Sequence, residues 1–217
     1  MPPPPMHPIL FISEPIYTVI ALAFCIIIYL KTKESYELTK YQGIKYFRYA
    51  FLFFGLSYLA RFLFNLAFFS TFAFDIFIPR RIFMPFLILI LGYLSTVAIS
   101  NLIISAIWKG FRRYPLFMIS QVLGIIVAVT GFLTNSHLML LYMQSGLLVI
   151  ALILGFFAHK KKTHHTQALY MLIFLLWLIN LWIIERMRML FFVEVFFEIV
   201  SIIVFVIIYH RISKWIK

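Results

Sequence analysis

Residues 46–69 read YFRYAFLFFGLSYLARFLFNLAFF, and this stretch decides the class of fold. The hydrocarbon core of a bilayer is about 30 Å thick and takes roughly 20 helical residues at a rise of about 1.5 Å each. Residues 46–69 supply that length almost without charge, interrupted in the middle by Arg61. In lipid only a helix or a closed barrel satisfies the backbone, and a continuous apolar run without period-two alternation selects the helix.

Six further runs of the same kind flank it, at 9–30, 82–108, 115–134, 138–158, 167–184 and 190–209. The whole chain has 217 residues, 64% hydrophobic and 12% charged, against about half and a quarter in a soluble domain. A soluble globular protein is excluded, and no room remains for a separate catalytic domain. The expected fold is an all-α integral membrane protein, a single bundle of seven transmembrane helices spanning 9–217, preceded by an extracytoplasmic Pro-rich tail at 1–8. Residues 31–45 read as a polar connector containing Gly43, and 134–137 as a short turn that makes the fourth and fifth helices an antiparallel hairpin. Ser13-Glu14-Pro15 resembles a helix start, which would leave 9–12 in the interface.

Orientation follows from the basic residues. Of the 19 Lys and Arg, alternate connectors place Lys31, Lys33, Lys40, Lys45, Arg48, Lys109, Arg112, Arg113, Lys160, Lys161, Lys162, Arg211, Lys214 and Lys217 on one side. Arg80, Arg81, Arg186 and Arg188 fall on the other, with Arg61 inside a helix. The positive-inside rule then puts the N-terminus outside and the C-terminus in the cytoplasm of a multi-pass cell-membrane protein. The formal charge of +12 belongs to these connectors and to anionic lipid headgroups, not to nucleic acid. Cys25 is the single cysteine, so no intramolecular disulfide is expected.

Ionisable groups inside a bilayer are costly and mark sites or paired partners. Ser57, Arg61 and Asn65 recur at four-residue steps along one face of the second helix, and Glu194 and Glu198, continued by Ser201, do so on the seventh. Arg61 and Glu198 each lie eight residues from the outer end of their span, about 12 Å deep at helical rise. Equal depth predicts that the second and seventh helices face each other through an Arg61–Glu198 pair. Asn180, Gln144 and Glu14 also fall in outer halves, and with Arg61, Asn65, Glu194 and Glu198 they form the candidate ligand-binding or ion-pair set. A buried pair that only fixes helix register is the simpler alternative, as is interhelical hydrogen bonding for Gln144 and Asn180.

His159, His164, His165 and His210 gather toward the cytoplasmic face and are candidate metal ligands, although a solvated basic loop accounts for them more simply. Small residues at four-residue spacing (Gly92, Thr96 and Ser100; Gly124 and Ala128; Ala151 and Gly155) predict close helix packing. No catalytic motif and no cofactor-binding motif is present. The seventh run holds no Lys, which removes the microbial rhodopsins and their retinal linkage. The Pro-Gln dipeptide of PQ-loop sugar transporters is missing. The only Asp, Asp75, falls on the outer side, unlike the inner ligands of the alkaline-ceramidase-like membrane hydrolases.

Two functional classes fit. The first is a receptor-like or sensory seven-helix module with a polar outer-half pocket around Arg61, Glu194 and Glu198. It resembles only in layout the membrane sensor regions that precede signalling kinases, and it requires a cytoplasmic signalling partner. The second is a small transporter or a proton or ion pathway built from the same charges, against which the inner half offers only Gln121, Ser100 and Asn101 as polar steps.

Overall fold

The computed structural model describes residues 10–73, 80–108, 115–158, 164–184 and 191–216. Among the described residues the chain is all helical, with seven helices: α1 Leu10–Thr39, α2 Gln42–Ala73, α3 Arg80–Ile107, α4 Leu116–Thr134, α5 His137–Ala158, α6 His164–Ile184 and α7 Phe191–Ile216. Five of them are long and apolar enough to cross a membrane: α1, α2, α3, α4 and α7. In α5 and α6 the described apolar stretches, Leu138–Leu154 and Leu169–Asn180, are shorter.

The connector expected at 31–45 is almost entirely helix. Polarity ends a membrane span, but it does not end a helix. Lys31 to Thr39 contains neither Gly nor Pro, and Lys33 and Glu37 pair across one turn at 3.8 Å. Only Lys40 and Tyr41 separate α1 from α2, with Lys40 in the left-handed region at φ 51° and its N–H closing on the Tyr36 carbonyl. At the other end α1 passes through Pro15 rather than starting there. The turn between α4 and α5 is as short as expected. Asn135 caps α4 at φ 47°, and the Ser136 hydroxyl accepts the Met139 N–H at the start of α5. The tail at 1–8 lies outside the described residues.

Side-chain contacts pair the start of α1 with the end of α2, and the start of α3 with the end of α4. α1 and α2 therefore run antiparallel, as do α3 and α4. α3 is the central helix, packed against α2, α4 and α5, while α1 packs on both α2 and α7. On α3, Thr96, Val97, Ala98, Ile99 and Asn101 are wholly buried.

α4 shows why the fold suits lipid. Its buried face is Leu116, Ser120, Gly124, Val127, Ala128 and Gly131, whereas Met118, Val122, Ile125, Ile126 and Leu133 are exposed. Small residues face the protein and large apolar ones face outward, the inverse of a water-soluble helix. The small-residue spacing works as expected at this interface. A Cβ on Gly92 would meet the Ala128 Cα at 3.4 Å, and one on Gly124 would come within 2.4 Å of the Val97 side chain.

Candidate functional site

Arg61 is buried on α2, and its counter-ion is Glu14 on α1. The Arg61 Nε donates to Glu14 Oε1 at 2.9 Å, and Nη2 reaches the same oxygen at 2.8 Å. The expected Arg61–Glu198 pair is therefore corrected. Depth alone allowed either acid, but α1 is the helix packed alongside α2 at this level, and an arginine takes the carboxylate its own neighbour presents. Glu198 is buried on α7, one turn before Ser201.

One turn deeper lies a polar cluster drawn from four helices. The Tyr17 hydroxyl on α1 donates to the Asn180 carbonyl oxygen on α6, lies 3.0 Å from the Tyr58 hydroxyl on α2 and 2.8 Å from the Ser201 hydroxyl on α7. Tyr58 also donates to Asn180 Oδ1. Asn180 Nδ2 donates to the Leu176 carbonyl at 2.7 Å and to Ser201 at 3.3 Å. A single oxygen accepting two phenols and an amide donating twice leave this cluster closed on itself, as buried polar groups in a low-dielectric interior must be.

Gln144 holds a separate position on α5. Its Nε2 donates to the Ser95 hydroxyl at 2.5 Å and to the Thr96 hydroxyl at 3.2 Å, both on α3. Ser95 gives its own proton to the Leu91 carbonyl, so it can only accept from Gln144, and this fixes the amide's orientation. The carbonyl oxygen Oε1 has no partner among the described residues.

A cavity joins these groups. Phe54, Ser57, Tyr58 and Arg61 of α2, Ile88, Leu91, Ser95 and Ile99 of α3, Leu140, Leu141 and Gln144 of α5, and Trp177 and Asn180 of α6 line it. It offers about 50 Å³ to the centre of a water-sized sphere. By that measure one water needs about 10–15 Å³, so there is room for roughly three to five atoms of methyl or water size. Trp177 stacks on Phe54 in its wall, with ring centroids 4.3 Å apart and planes 20° apart. The wall is mostly apolar, with a few convergent polar groups, which is the composition of small-molecule sites.

The chain is 30% identical over 220 residues to an uncharacterized protein of Archaeoglobus fulgidus, a match covering 98% of this chain and 97% of that protein. The chain belongs to that protein's family. No protein-family model and no solved structure matches it.

Of the remaining expected site residues, Asn65 and His210 are not among those that line the cavity. Asn65, two turns beyond Ser57 on the same helix, is half-buried, and its Nδ2 has no partner among the described residues. Glu194 is on α7 with its side chain outside the described residues, as are the side chains of His164 and His165 at the start of α6 and the whole of His159. His210 is exposed on α7. Among the described residues no three His, Cys, Asp or Glu gather as a metal site.

Sequence reasoning missed Tyr17, Tyr58, Ser95, Thr96 and Trp177. A signal existed for two of them. Tyr17 follows Glu14 by three residues and Tyr58 precedes Arg61 by three, so each tyrosine shares a helix face with its charge, and the antiparallel packing of α1 on α2 superimposes the two pairs.

Proposed function

We propose that this protein is a seven-span, multi-pass protein of the cell membrane, with its N-terminus outside, that binds a small molecule in the cavity among α2, α3, α5 and α6 and acts as a receptor-like module. Orientation rests on the positive-inside count, which gathers the basic residues at the end opposite the Arg61–Glu14 pair. Those residues face anionic headgroups and a cytoplasmic signalling partner.

The observation that carries the reading over transport is the packing on the inner side of the cavity. One turn beyond the Phe54–Trp177 stack, Ile28, Phe51, Leu102, Ile173 and Ile208 come from five helices and are each at most 2% exposed. A dense apolar layer is a floor for a binding site and a barrier for an ion. The Asn180 cluster lies above this layer, and the Ser105 and Tyr170 hydroxyls, 2.8 Å apart, lie below it.

The test is flux. Purified protein in liposomes is expected to pass neither protons nor small solutes under an imposed gradient. A proton or solute current that disappears in Glu198→Gln would overturn the receptor-like reading in favour of a transport pathway through the same intramembrane charges.

A further inference from the structure

The ligand's chemistry is legible from the cavity wall, given the reading of the cavity as a binding site. Two of the residues that line it carry a polar atom with no partner among the described residues: the acceptor Gln144 Oε1, on a residue with no exposure, and the donor Trp177 Nε1, on a residue 3% exposed. A buried polar atom left unmatched costs about 1–3 kcal/mol, and a native interior matches nearly all of them. One acceptor and one donor in the same small space define a ligand that supplies the complement of each.

Charge narrows the class. Arg61 also lines the cavity, but its Nε and Nη2 both point at Glu14 Oε1. The ion pair is neutral as a whole, so the guanidinium's charge toward the cavity is largely offset by Glu14. Ser57, Tyr58, Ser95 and Asn180 already hydrogen-bond within the protein, and the remainder of the wall is leucine, isoleucine and aromatic carbon, where an ion loses its hydration without replacement. We infer that the cavity takes a short-chain neutral molecule carrying both a hydrogen-bond donor and an acceptor, a primary aliphatic amide being the simplest: its N–H meets Gln144 Oε1, its carbonyl accepts from Trp177 Nε1, and its alkyl end lies on Ile88, Leu91 and Leu140.

The experiment is calorimetric titration of the full chain in nanodiscs with propionamide and with propionate, compounds of nearly the same shape that differ in charge. Propionamide is expected to bind and propionate not. Gln144→Leu and Trp177→Phe should each weaken propionamide binding about tenfold, the equivalent of one hydrogen bond. Trp177→Phe keeps a ring against Phe54, so the prediction survives if the Gln144 variant fails to fold. Unchanged propionamide affinity in Trp177→Phe overturns the inference. Tighter binding of propionate, lost in Arg61→Gln, overturns the neutral class while leaving the cavity as a ligand site. Binding of neither compound overturns both.

Discussion

α2 carries two arginines in very different settings. Arg61, in the half of the helix that faces the cavity, is buried and answered by a carboxylate at 2.8–2.9 Å. Arg48, near the other end, is only partly buried and lies over the Tyr29 ring, with the guanidinium carbon 4.6 Å from its centroid, and over the Tyr36 ring at 5.8 Å. Its Nε has no hydrogen-bond partner among the described residues. The difference teaches how depth sets the partner. Where water or headgroups reach the rest of the side chain, the quadrupole of an aromatic face is enough. Inside the bundle only an opposite charge with direct hydrogen bonds is enough.

The largest way to break this contrast is to remove the carboxylate. Glu14→Ala strands a buried guanidinium and should cost about 3–5 kcal/mol of stability, read by denaturant titration in micelles. The double variant Glu14→Leu with Arg61→Leu should lose clearly less than Glu14→Ala, because neither charge is then left alone. Equal losses would mean that the two residues act independently and that the pairing is not what holds Arg61. Smaller is the effect of Tyr58→Phe, which removes one donor from Asn180 while Tyr17 keeps another; about 1 kcal/mol is expected in the same titration. Smallest is Arg48→Ala, at about 0.5–1 kcal/mol for a partly exposed cation over a ring. If Arg48→Ala proves as damaging as Glu14→Ala, the depth argument fails.

Legibility in the sequence followed the range of the interaction. The span in 46–69 was readable because hydrophobic length is a property of consecutive residues, and the turn at Asn135 because a left-handed cap is decided within four positions. The connector at 31–45 was misread because hydropathy reports the lipid boundary, while helix continuation depends on backbone propensity, and Lys31 to Thr39 has every reason to stay helical. The site was legible only in its members. Arg61, Asn180, Gln144 and Glu14 stood out as polar residues in apolar runs. Tyr17, Tyr58 and Trp177 did not, since an aromatic residue with one polar atom is indistinguishable by composition from the many that serve the core or face lipid.

What the amino-acid sequence determined by itself is the all-helical, membrane-like character of the chain and the fact that a cation near the middle of α2 must find an anion. Both follow from local costs: an unsatisfied backbone or an isolated charge is prohibitive in hydrocarbon whatever surrounds it. Which anion, and which uncharged groups share a cavity with it, was decided by tertiary structure. Glu14 and Glu198 are both buried acids in the outer halves of their spans, so one-dimensional position leaves them equivalent, and only the lateral packing of α1 against α2 brings Glu14, and not Glu198, within 3 Å of the guanidinium.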